Sequence, residues 1–120
     1  MHTVLIIDDV QTDRDLMGKV VLQGGYAAAY ATDGDEALAR AKAVKPSLIL
    51  LDVVMPRMDG FKACRELKRD PETASIPVVL VTNKFTEADR FWGKKQGADD
   101  HLGKPFSPEG LLALLKKHLY

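Results

Sequence analysis

Five short apolar runs alternate strictly with five stretches of helical periodicity along this chain. No other feature constrains the fold as tightly. Residues 3–7, 47–51 and 76–81 are rich in Val, Ile and Leu and show little apolar/polar alternation, as expected of strands covered on both faces. Residues 26–31 are Ala-rich and residues 98–102 are mixed, so these two read as weaker strands, the second suited to an edge.

The intervening segments carry helix signals. Residues 12–22 place Leu16 and Val20, with Met17 and Val21, toward one side, and Gly24-Gly25 ends the run. Residues 35–44 carry Ala37, Leu38, Ala41 and Val44 at helical spacing before Pro46. Asp59 is placed to cap a helix over 60–68, where Phe61, Cys64 and Leu67 form a stripe. Residues 86–96 open with Thr86 and Glu87 and close at Gly97. Ser107-Pro108-Glu109 has the form of a helix start, followed by an apolar face of Leu111, Leu112, Leu115 and Leu119. Cys64 and Phe91 are expected in the core. Adjacent helical residues cannot both face inward, so Trp92, next to Phe91, is expected to be at least partly exposed and is a candidate partner anchor.

Strand and helix in alternation mean parallel strands joined by right-handed crossovers. The expected fold is α/β, a doubly wound five-stranded parallel sheet of order 2-1-3-4-5 with helices on both faces. With 120 residues, the chain is the size of one domain, and residues 1–120 are read as one unit with no output domain. Lys plus Arg and Asp plus Glu are 17 each, a neutral balance that argues against nucleic acid or a charged membrane surface as partner. Cys64 is the only cysteine, which excludes an internal disulfide. The first apolar run is too short for a signal peptide or a span, so a soluble cytoplasmic protein is expected.

In an open parallel sheet, ligands bind beyond the carboxyl ends of the strands. Those ends carry Asp8 and Asp9 after the first run, Asp52 after the third, Thr82 and Asn83 after the fourth, and Lys104-Pro105 after the fifth. Clustered carboxylates repel and call for a hard, oxygen-seeking divalent cation such as Mg²⁺ or Mn²⁺. A cation, an ammonium and a hydroxyl together suit a phosphoryl group. The remaining carboxylate is then a candidate nucleophile. Taken singly, each group has a plainer reading: Asp8-Asp9 as a capping loop, Thr82 as a solvated hydroxyl, Lys104-Pro105 as an ordinary loop. Only the set at one rim favours chemistry.

In that order, Asp8-Asp9, Asp52, Thr82 and Lys104-Pro105 resemble the receiver domain of two-component response regulators, over essentially the whole chain. Met55-Pro56-Arg57-Met58-Asp59-Gly60 resembles the loop that follows the family's phosphoacceptor. Residues 92–98 and 71–77 resemble the PilH-type regulators of twitching motility. The resemblance implies Asp52 as phosphoacceptor, Asp9 as a direct metal ligand, Asp8 as a ligand mainly through water, and the Val54 carbonyl as the last protein ligand. It implies that Lys104 pairs with a phosphoryl oxygen, that Thr82 moves to bond another, and that the Lys104-Pro105 bond is cis. The implied donor is a phosphohistidine on a sensor kinase or phosphotransfer domain. The implied product is a stand-alone switch, not a turnover enzyme, in a chemotaxis-like system controlling type IV pili. The implied downstream surface is the fourth helix, fifth strand and fifth helix.

Two departures stand out. His101 occupies the position where the family often has Tyr or Phe, and its charge near neutral pH could make switching pH-sensitive. Val54 and Lys84 stand where the family tunes phosphoryl lifetime, and they suggest slow self-dephosphorylation. Two other classes fit less well. A haloacid-dehalogenase-type phosphohydrolase needs a second Asp two residues after the nucleophile, where this chain has Val54. A flavodoxin-like module needs a Gly-, Ser- or Thr-rich phosphate loop, where this chain has Asp8-Asp9-Val10-Gln11-Thr12-Asp13.

Overall fold

The computed structural model describes residues 1–55 and 58–119. Pro56 and Arg57 of the loop singled out above lie outside the described residues. The order is β1 (Thr3–Ile7), α1 (Gln11–Gln23), β2 (Ala27–Ala31), α2 (Gly34–Val44), β3 (Leu48–Leu51), α3 (Gly60–Arg69), β4 (Val78–Thr82), α4 (Glu87–Lys95), β5 (Asp100–Gly103) and α5 (Pro108–His118). All strand pairings are parallel, in the order β2-β1-β3-β4-β5. The expected α/β architecture therefore holds in full.

The pleat sorts the apolar runs into two cores, because successive strand residues point to opposite faces. Leu5, Ile7, Ile49, Leu51, Val78 and Leu80 meet Ala37 and Ala41 of α2 and Ala63, Cys64 and Leu67 of α3. Val4, Ile6, Leu48, Leu50, Val79 and Val81 meet Met17, Val20 and Val21 of α1 and Leu111 and Leu115 of α5. This two-sided burial explains why the runs showed no alternation.

Local chemistry fixes the helix ends. The side chains of Asp33, Asp59 and Ser107 accept backbone N–H groups of Glu36, Lys62 and Gly110. Thr86 and Asp89 form a reciprocal capping box at α4. The last two strands begin two residues later than the apolar runs suggested. Pro77 has no N–H to donate, and the Asp99 carboxylate caps the ladder by accepting the Val78 N–H at 2.8 Å.

Two core expectations fail. Leu16 is exposed, because the buried stripe of α1 is Met17, Val20 and Val21 and Leu16 lies toward the rim beside Asp13, Pro105 and Phe106. Phe91 is also exposed, as is Trp92. Helix α4 turns only Gly93 fully inward. A Cβ there would lie 2.6 Å from the His101 ring and 2.7 Å from Leu80, so the helix is seated by its glycine and both rings are turned away from the core.

Gly60 sets the height of α3 over the functional rim. Its N–H donates to the Val53 carbonyl at 2.8 Å, and a Cβ would strike the Asp52 carbonyl and come within 2.6 Å of the Val53 Cα. Helix propensity alone would make Gly60→Ala neutral or stabilising. The backbone clash instead predicts a loss of about 1–3 kcal/mol, read as a lower urea midpoint. An unchanged or raised midpoint would refute this packing.

Candidate functional site: an acidic pocket closed by a lysine

Strand register assembles the pocket. Ile7 pairs with Leu51 across β1 and β3, and the Asp52 N–H donates to the Ile7 carbonyl at 3.0 Å. Asp8 and Asp52 therefore leave neighbouring strands at the same level. Thr82 pairs with Gly103 across β4 and β5, and the Lys104 N–H donates to the Thr82 carbonyl at 3.0 Å. The following Lys104-Pro105 bond is cis, as the resemblance implied.

The Lys104 ammonium reaches three carboxylates. Its Nζ donates to Asp8 Oδ2 at 2.7 Å, to Asp13 Oδ2 at 2.8 Å and to Asp52 Oδ2 at 3.2 Å. Asp8 is fully buried and Asp52 nearly so, while Asp9 lies open to solvent. Asp8 is further tied by its Oδ1, which accepts the Val10 N–H at 2.9 Å, and its carbonyl accepts from Arg14 at 2.7 Å. Asp52 Oδ1 accepts the Val54 N–H at 3.2 Å, and the Val54 side chain is exposed.

Asp13 was missed from the sequence. An acid in the first turn of α1 has a sufficient explanation in the helix dipole. Nothing in the spacing alone says that it folds back onto Lys104.

The charges are unevenly served. Burial disfavours the Lys104 charge, but hydrogen bonds to Asp13 and Asp8 and the charge of Asp52 outweigh it and hold its pKa above the ordinary lysine value. Burial pushes the Asp8 carboxyl up, and Lys104 and the Val10 N–H offset this only in part. One cation shared by several anions is strongly stabilised, whereas the most buried anion is not. This is a pocket short of positive charge.

Asp8, Asp9 and Asp52 each offer an oxygen within 4.8 Å of the others. An all-carboxylate set facing solvent on one side fits Mg²⁺ or Mn²⁺, which take oxygen donors and retain waters. Thr82 is fully buried beside the pocket, and its hydroxyl accepts the Lys84 N–H at 3.1 Å. Lys84 and Val54 line one cavity of about 310 Å³ with Val53, Met55, Asp59 and Phe61.

The response regulator receiver domain family matches residues 4–116. The chain is a member of that family. It is 42% identical over 112 residues to Protein PilH of Pseudomonas aeruginosa, covering 93% of each chain. It is 40% identical to the transcriptional regulator RpaA of Synechocystis, but spans only 48% of that protein, and 42% identical to response regulator PleD of Caulobacter vibrioides, spanning 25% of it. The crystal structure of chemotaxis protein CheY4 of Vibrio cholerae superimposes with a TM-score of 0.93 at 34% identity, covering 99% of both chains. As a receiver domain, the chain is a two-component signalling switch built around an acidic pocket.

His101 sits in β5 rather than at the pocket. Its ring packs against Phe85 with centroids 5.6 Å apart, and Arg90 lies 5.1 Å over the other partner of that stack, Phe85. The buried Nε2 has no hydrogen-bond partner among the described residues. Burial and then the Arg90 charge push its pKa below the ordinary histidine value, which corrects the expectation of a charge near neutral pH. His118 is paired: its Nε2 lies 3.1 Å from Asp100 Oδ2, and Lys117 donates to the same oxygen at 3.0 Å. Among the described residues, no helix is long and apolar enough to cross a membrane.

Two tests follow from these charges. Because burial raises the Asp8 pKa, its folding penalty sets in as pH climbs above the ordinary aspartate value and is complete above the raised one. Asp8→Asn should therefore raise the urea midpoint at pH 7 in EDTA, and a lower midpoint would contradict the charge imbalance. For His101 the sign is opposite. Its folded pKa is depressed, so the unfolded chain takes up the proton first and stability falls as pH drops below about 6.5. His101→Phe should flatten that part of the stability–pH curve, whereas an unaltered slope would place the titration elsewhere.

Proposed function

We propose that this receiver domain is a stand-alone, cytoplasmic switch in which Asp52 accepts a phosphoryl group from a phosphohistidine of a sensor kinase or phosphotransfer domain. The observation that carries the reading is the Lys104 ammonium bridging Asp52 and the buried Asp8, with Asp9 beside them at the carboxyl rim of the sheet.

Asp8, Asp9 and Asp52, with the Val54 carbonyl, would hold the divalent cation. When bound, Mg²⁺ supplies the positive charge that the pocket lacks and that a transferring phosphoryl group requires. A carboxylate oxygen of Asp52 attacks phosphorus in line. The new O–P bond forms as the N–P bond to the donor breaks, and the electron pair stays on the donor imidazole nitrogen. Lys104 exchanges its bond to Asp52 for one to a phosphoryl oxygen. The Thr82 hydroxyl, which now accepts from Lys84, rotates to donate to another.

That movement pulls on the 83–86 loop and biases α4 and β5 between two arrangements, which alters the α4–β5–α5 surface read by a downstream protein. Val54 offers no acid to protonate a leaving group, which disfavours a turnover phosphohydrolase. Val54 and Lys84, which line one cavity with Val53 next to Asp52 in the chain, would hinder attacking water, favouring a long-lived acyl phosphate. The similarity to PilH over nearly all of both chains supports a place in a chemotaxis-like system controlling type IV pili.

Incubation with acetyl phosphate and Mg²⁺ followed by intact mass measurement tests the reading. Wild type should gain one phosphoryl group, Asp52→Asn none, and Lys104→Ala far less than wild type. Equal labelling of Asp52→Asn would remove Asp52 as acceptor. Loss of the label within seconds, without a phosphatase, would contradict the shielding by Val54 and Lys84.

A further inference from the structure

A second recognition feature lies on the flank between α3 and α4, apart from the acidic pocket and from β5. A groove of about 210 Å³ runs there, lined by Asp59, Phe61, Lys62, Arg65, Trp92 and Gln96. On α3, Arg65 lies three residues after Lys62 and four after Phe61, and on α4 Trp92 and Gln96 are four apart, so each helix contributes one side of the groove. Both helices start at the rim, and the groove therefore leads from Asp59 at the rim to Arg65 and Gln96 away from it.

Two observations indicate what the groove is shaped to take. The Arg65 Nε–H is shielded from solvent and has no acceptor among the described residues. No ion pair or hydrogen bond engages the rest of the Arg65 guanidinium among the described residues, and its outer N–H groups are not buried with Nε, so they are open to a charged acceptor. Second, the Trp92 ring is half exposed at the groove edge. Its neighbour Phe91 is covered by the Lys95 ammonium at 5.5 Å, whereas no such cover lies over Trp92 among the described residues.

Charge decides the occupant. Lys62 and Arg65 contribute two cations. The one acid in the groove, Asp59, lies at its rim end as the cap of α3, where its Oδ1 accepts the Lys62 backbone N–H at 2.9 Å, so the excess of positive charge lies toward Arg65. Glu87 lies on the opposite, rim-side flank of Trp92 with Ala88 and Phe91, so an acidic ligand is repelled there and drawn toward Arg65.

We propose that the α3–α4 groove binds a short acidic peptide segment of a partner protein, with a Glu or Asp carboxylate accepting from the outer N–H groups of the Arg65 guanidinium beside Lys62 and a preceding apolar side chain lying on Trp92 and Phe61. The inference goes beyond phosphorylation of Asp52 and does not require it, so the unphosphorylated full chain is used for the test.

Trp92 is the only tryptophan, so its emission reports directly on the groove. A capped octapeptide containing Leu-Phe followed by Glu-Glu is titrated against its Gln-Gln isostere. The acidic peptide should shift the emission and saturate below about 1 mM. The Gln-Gln peptide should bind about tenfold more weakly or worse, the loss expected when a charge-assisted hydrogen bond is removed. Arg65→Gln should weaken the acidic peptide to a similar extent, and Lys117→Gln, on the α5 side, should leave it unchanged. No emission shift up to about 1 mM, equal binding of the two peptides to wild type, or full binding to Arg65→Gln would each overturn the proposal. The peptide comparison uses wild-type protein and so holds even if Arg65→Gln folds poorly.

Discussion

The Lys104 ammonium is the interaction on which the arrangement of the pocket depends. It is nearly buried and touches Asp8, Asp13 and Asp52, which come from the end of β1, the first turn of α1 and the end of β3. Without a cation at that point, buried carboxylates from adjacent strands would face one another in a region of low dielectric. One positive charge cannot balance them all, and burial, with a smaller push from the Asp52 charge, raises the Asp8 pKa in spite of its bond to Lys104. The same shortage that strains the resting pocket makes it receptive to a divalent cation. Stability and chemistry are opposed here, as is common where like charges are held together for use.

Parallel pairing makes this geometry possible. Every strand points its carboxyl end at one rim, so groups far apart in sequence arrive at the same level if the register is kept. The backbone bonds from Asp52 to Ile7 and from Lys104 to Thr82 keep it. A slip of one residue would turn each apolar run to the wrong core and carry the pocket residues with it. The hydrophobic sorting of β1, β3 and β4 is thus what holds the site in register, and α3, set down on Gly60 over the Asp52 carbonyl, closes one side of it.

The α4 side is built differently. Only Gly93 is fully buried in that helix, and it rests against His101 and Leu80. A helix held by so small a contact keeps its aromatic residues at the surface, and it is the element best placed to shift with little cost in buried area. His101, packed on Phe85 and kept neutral by burial, gives β5 an apolar neighbour where a charged imidazolium would be disfavoured.

Much of this was legible in the linear chain. Unbroken Val, Ile and Leu runs alternating with helical periodicity determined the doubly wound sheet, because burial on both faces and right-handed crossovers leave few other solutions. Asp8, Asp9, Asp52, Thr82 and Lys104 were identifiable because strand ends in such a sheet share one rim. Asp13, the outward turn of Phe91, the exposure of Leu16 and the partnership of His118 with Asp100 were not. Each depends on which neighbour a side chain meets after the helices dock, and periodicity gives the face of a helix but not the angle at which it lies on the sheet. The direction of the His101 pKa likewise came from the packed ring and the nearby Arg90, since desolvation exists only once tertiary structure has excluded water.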